Sequence, residues 1–194
     1  MKNFNSSFIL LFTVFISLIA SNSNSHVIPE DELRNKVYLS NNEALKKVFK
    51  GVNKIKREKQ KISPEQRKQI EEICGQNFED QRIDFYTAPT NNGKLYATIE
   101  KATANSHPVT EAKFIILIDS QGQIKDLHIM EYKGPQRAEI ISRPFLNQFL
   151  GQSAHSSFKS VTSNQGTTPS AQALVRAVHK ILASHNVVYL TGEN

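Results

Sequence analysis

The chain has no tryptophan, one cysteine and two methionines in 194 residues. A lone thiol, Cys74, excludes an internal disulfide, so the fold has to be held by its core. It stands near the end of a helical pattern, where it reads as a small buried residue rather than a reactive group. Long uncharged, largely apolar runs are scarce as well. The exception, Phe8 to Ala20, follows Lys2 and precedes SNSNS, and it is shorter than the roughly 20 residues that cross a bilayer. Residues 1–25 therefore read as a secretory signal peptide cleaved near Ser23 or Ser25, with an uncleaved membrane anchor as the alternative. Residues 26–194 are then expected to be a single domain, exported to a periplasmic or other extracytoplasmic space. No cysteine follows the apolar run, which leaves a lipid-anchored form without support.

Acidic residues are in the minority, 18 against 24 Lys and Arg, for a formal net charge of +6. The excess is concentrated in KKVFKGVNKIKREKQK, residues 46–61. This run reads as a solvated connector between two helices; attraction to nucleic acid or to an anionic lipid surface is the alternative. With Phe49 as its only aromatic, base stacking has little support and no nucleic-acid partner is expected. At 39% apolar and 22% charged residues, the chain as a whole suits an ordinary globular core.

Metal and hydrolase chemistry are equally thin. His107, His128, His155, His179 and His185 show no ligand spacing. Ser156, His155 and Asp119 supply the residue types of a catalytic triad without a nucleophile elbow to present them.

The periodic segments are clearer. LSNNEALKKVF has the S-x-x-E spacing of a capping box at Ser40 and Glu43, with Ala44, Leu45, Val48 and Phe49 on one face. SPEQRKQIEEICG predicts a second helix with Ser63 as N-cap, Pro64 in the first turn and Gly75 as the stop. Its thin apolar face, Ile70, Ile73 and Cys74, places it at the surface. From Arg82 the period becomes two: RIDFYTA and KLYATIE flank PTNNG, while the buried run EAKFIILID and its partner IKDLHIMEY flank DSQGQ. RPFLNQFLG reads as a short helix ended by Gly151, followed by a long loop to Pro169. The tail NVVYLTGEN reads as a short strand or a fraying end. The expected class is α+β, an antiparallel sheet of about four to six strands flanked by helices.

The strongest pattern is the last helix, where Ala171, Leu174, Val175, Val178, Ile181 and Leu182 follow i, i+3, i+4, i+7. Thr167, Thr168 and Pro169 stand where it begins. A helix N-terminus has free N–H groups and partial positive charge, so the position suits an anion; a plain N-cap is the alternative use of the threonine.

Three stretches give this order of elements a likeness: YLSNNEALKKVF, FIILIDSQGQIKDLHIMEYKGPQRAEIISRPFLNQFLGQS and QGTTPSAQALVRAVHKI. Together, from about Tyr38 to about Ala183, they resemble the FMN-binding domain family. That family includes the flavin subunits of the sodium-pumping NADH:quinone reductase and of the Rnf complex, and free-standing exported proteins. The resemblance implies FMN held by a phosphoester bond to a threonine, which a separate flavin transferase makes; the matching residue is Thr168. It implies further contacts from Gln165, Gly166, Thr167 and Ser170, and from Lys133, Gly134 and Arg137 where the last strand exits beside Tyr132. It also implies an electron-transfer flavoprotein with membrane or extracytoplasmic redox partners rather than a stand-alone enzyme. The sequence departs from the family pattern at Thr162, where an aspartate normally stands, at Gln165, a Ser or Thr position, and at Thr167, an alanine position. The alternatives are FMN bound without the covalent link, and a flavin-free interaction domain that kept the fold and lost the attachment motif.

Overall fold

The computed structural model of the protein describes residues 34–52, 54–162 and 168–192. The signal-peptide reading lies outside them, as do Gln165, Gly166 and Thr167. Among the described residues no helix is long and apolar enough to cross a membrane.

Six strands form one antiparallel sheet: β1 (Lys36–Val37), β2 (Lys56–Lys61), β3 (Arg82–Thr90), β4 (Gly93–Ala104), β5 (Thr110–Ile118) and β6 (Ile124–Lys133). Their spatial order is β1-β6-β5-β4-β3-β2, so β2 to β6 form a meander and β1 returns to pair with β6. Helices α1 (Asn41–Val48) and α2 (Pro64–Cys74) precede the central strands; α3 (Arg137–Ile140), α4 (Arg143–Leu146) and α5 (Pro169–His185) follow them. The class is α+β.

The helices start and stop for reasons written into the sequence. Ser40 with Glu43 and Ser63 with Gln66 both close capping boxes, and Gly75 ends α2 in the left-handed conformation. Burial then sorts the two sheet faces. On one, α5 and α2 cover Phe85, Phe114, Ile116, Leu127 and Ile129, with Leu174, Val178, Ile181 and Leu182 of α5 in the same core. On the other, α1 packs Ala44, Val48 and Phe49 onto Ala97, Ile115, Leu117 and Met130. Strand β5 is thus covered on both faces, which is why FIILI is apolar without alternation.

Two expectations are corrected. Residues 46–61 are not a connector between two helices: the first three close α1, and 56–61 form edge strand β2, paired from Lys56↔Thr87 to Lys61↔Arg82. Charge suits an edge, because it discourages pairing with another chain. The tail is neither strand nor fray. Asn186–Leu190 continue α5 as a π-helical turn, with Val187 buried.

Strands β3 and β4 part company midway. Their ladder runs from Thr90↔Gly93 only to Tyr86↔Ala97. Just beyond, the Thr98 hydroxyl donates to the Asp84 carbonyl at 2.8 Å. A cleft opens past that point on the α1 face.

Candidate functional site

The start of α5 is built as an N-cap. Thr168 has extended backbone (φ −77°, ψ 156°), its Oγ1 accepts the Ala171 N–H at 3.2 Å, and its carbonyl accepts the Gln172 N–H at 2.9 Å. Pro169 follows at the first helical position, where a missing N–H costs nothing. With Ala171 already bonded, Ser170 carries the remaining first-turn N–H. Both Thr168 and Ser170 are buried, 6% and 5% exposed. Upstream, Thr162 is clasped by Gln148, which accepts the Thr162 N–H and donates to its carbonyl, each at 3.0 Å.

The other end of α5 fixes its direction. His185 packs against Tyr96, the partner of Ile118 at the end of β5, and lies beside the Gly122 turn. From there α5 runs back across β4 and β5, and the other expected contacts stand where β6 exits. There Tyr132 is buried and donates its hydroxyl to the Pro135 carbonyl at 2.6 Å. Lys133 is exposed. Gly134 takes φ 136°, and a β-carbon there would stand 2.6 Å from Thr110 Oγ1, so only glycine fits without movement. Arg137 donates through Nη2 to the Arg34 carbonyl at 2.8 Å. It also lies close enough to Tyr38 to draw that phenol's pKa down, against the stronger upward push of burial. Tyr132 lies in the core that α5 covers, whereas Lys133, opposite Glu111, projects from the other sheet face; the expected contacts are Thr168 and Ser170 on one side, Lys133 and Gly134 on the other. No hydrogen bond or ion pair joins those pairs, and Arg137 is turned toward the β1 edge.

The triad residues are not assembled. Asp119 Oδ1 accepts the N–H groups of Gln121 and Gln123 in the β5–β6 turn, and Ser156 Oγ accepts the Ser153 N–H. Sequence reading passed over a different cluster. Buried His128 brings Nε2 within 2.8 Å of Asp126 Oδ2, and Arg143 Nη2 lies 2.7 Å from its Nδ1. Burial raises the Asp126 pKa, but the hydrogen bond from His128 and the nearby charges outweigh it and hold the carboxyl low. The pair's i, i+2 spacing on β6 was the available signal, since it puts both side chains on one face. Arg143 arrives from α4, so the cluster ties that helix to the strand.

Neither the family models, nor the curated proteins, nor the solved structures contain a match to this chain.

Proposed function

We propose that this chain is an exported FMN-binding flavoprotein that carries electrons outside the cytoplasm, with FMN attached through its phosphate to Thr168. The supporting observation is the place of that threonine: a hydroxyl at the N-cap of a 17-residue helix. The residues present fit a phosphate. Its charge would be stabilised by the helix's positive end and the Ser170 N–H, with Lys133, on the sheet face away from α5, adding only long-range field. Gln165, Gly166 and Thr167 complete the proposed site, with Arg137 contributing field from the edge. When bound, the flavin ring supplies the redox chemistry, while the chain orients it and sets its electrostatics. Loading would require a flavin transferase, and turnover would require membrane or extracytoplasmic redox partners.

A second reading is favoured by the same threonine. Its hydroxyl already caps α5 and is nearly sealed from solvent, as a flavin-free interaction domain would retain it for stability alone. Absorbance and intact mass of protein purified from its native host separate the two. A yellow protein heavier by one FMN less water, with the adduct absent in Thr168→Ala, supports attachment. Colourless protein at its bare mass, despite a co-expressed transferase and added FMN, overturns the carrier reading.

A further inference from the structure

On edge strand β2, Arg57, Lys59 and Lys61 occupy alternate positions and so project from one face, about 6.8 Å from one to the next. Across the ladder they stand opposite Tyr86, Asp84 and Arg82. Asp84 is taken by Arg57, whose Nε donates to it at 3.0 Å while its guanidinium lies 5.9 Å from the Tyr86 ring. Among the described residues, no carboxylate lies within ion-pair distance of Lys59, Lys61 or Arg82. This row borders two adjoining depressions. One, of about 400 Å³, occupies the cleft where β3 leaves β4 and is lined by Arg57, Lys59, Asp84, Tyr86 and Arg82. Glu100 also borders it, with its carboxyl pushed up toward the neutral form by burial. The second, of about 430 Å³, is lined by Lys61, Arg67, Gln81 and Arg82.

Edge protection accounts for the cations of β2. It does not account for their concave setting, for Arg82 on the neighbouring strand, or for Arg67. That guanidinium comes from α2 and buries its Nε with no hydrogen-bond partner. A buried charged donor left unmatched is costly, and an anion entering the groove would satisfy it.

We infer that this groove binds a linear polyanion built of tetrahedral oxyanions, phosphate or sulfate, without bases. Five cationic side chains line it, and their regular spacing along β2 suits charges repeated along an extended chain. Fork-shaped guanidinium groups match such oxyanions in a bidentate manner. Bases are disfavoured because Tyr86, the row's one ring, is already covered by Arg57. A flat membrane surface is disfavoured because the cations line concave ground. The inference does not depend on flavin.

The test is fluorescence anisotropy with labelled polyphosphate and labelled heparin, compared with single-stranded oligothymidylate and phosphatidylglycerol vesicles. Expected is binding to polyphosphate, heparin or both, falling at least about tenfold between 50 and 200 mM salt. Polyphosphate alone identifies phosphate as the natural chemistry, and heparin alone sulfate. The double variant Lys59→Gln/Arg82→Gln should weaken binding at least about tenfold, whereas Lys47→Gln/Lys50→Gln, the same charge change away from the groove, should leave it within about twofold. Arg67→Met should weaken binding without loss of thermal stability, since it removes an unmatched buried donor. Absence of binding to both polymers at 50 mM salt, equal losses in the two double variants, or tighter binding to the oligonucleotide or the vesicles would overturn the proposal.

Discussion

The imidazole of His185 stands edge-on to the ring of Tyr96, their centroids 4.4 Å apart and their planes inclined by 76°. Phe85 and Tyr189 close the box at 5.9 and 5.4 Å, and neither imidazole nitrogen has a hydrogen-bond partner. The groups facing it are thus two strand aromatics and the phenol of the π turn, with the ammonium of Lys94 lying over the Tyr96 and Tyr189 rings and Asp119 in the adjacent β5–β6 turn. Burial pushes the His185 pKa down from 6.5 to about 4, slightly offset by Asp119.

The sign of the resulting pH effect follows directly. The folded protein keeps His185 neutral where the unfolded chain protonates it, so this contribution is complete above pH 6.5 and is lost as pH falls toward 4. The loss is about 3 kcal/mol and levels off below that pH. Urea midpoints at several pH values should show His185→Phe flattening the slope in this window by about one proton. Carboxylates that also lose stability in acid are common to both proteins and cancel in the comparison. An unchanged slope in the variant would mean that water reaches the ring.

Glu58 joins three strands and the chain's last turn. Its carboxylate accepts from Lys94 Nζ at 3.2 Å, Thr87 Oγ1 at 3.1 Å and Tyr189 Oη at 3.0 Å. Burial alone would raise its pKa, but these donors together hold it below the ordinary range. Glu58→Gln keeps the shape and removes the charge, and should cost roughly 1–3 kcal/mol. Because the links run from β2 to both β4 and the π turn, hydrogen exchange should accelerate in 56–61 and 186–190 together. Acceleration confined to β2 would show that Tyr189 does not depend on the carboxylate.

The same cluster explains what the sequence left illegible. Strand β5 was readable because covering both faces forces a continuous apolar run, and α5 because one buried stripe forces a 3.6 period. KREKQK offers neither signal. Its alternation is of polar kinds, Glu58 and Gln60 toward Tyr189 and Arg57, Lys59 and Lys61 toward the opposite face, and it acquires meaning only once the register with β3 is known. At the tail, two β-branched valines suggested a strand, yet Val187 is buried as a continuation of α5. Thr168 was legible as a cap because capping is local. The carbonyl that Arg137 bonds belongs to Arg34, a contact between residues 103 positions apart that no local pattern announces.

Thr168 has a structural role that can be measured apart from any flavin. Loss of its cap bond to Ala171 in Thr168→Ala should cost about 1 kcal/mol, while Thr168→Ser, which keeps an acceptor oxygen, should stay within a few tenths of wild type. The comparison is best made by thermal melts of flavin-free protein. Equal stability of all three would show that the hydroxyl is not needed to start the helix and would leave attachment as its main use.

Gly134 and Thr110 meet where β6 leaves the sheet, and their contact predicts a specific non-additivity. Gly134→Ala introduces a β-carbon at φ 136°, 2.6 Å from Thr110 Oγ1, so the variant carries both a backbone penalty and a clash, the former alone about 1–3 kcal/mol. Thr110 is 2% exposed and its hydroxyl has no hydrogen-bond partner. Thr110→Ala should therefore be nearly neutral by itself, since it removes an unmatched polar atom along with a methyl. In the double variant the clash is relieved and the backbone penalty remains. A double-mutant cycle should give a favourable coupling of roughly 0.5–3 kcal/mol. A coupling near zero would place the whole cost of Gly134→Ala in the left-handed backbone, so that enlarging the space at Thr110 would not make any other residue tolerable at the strand exit.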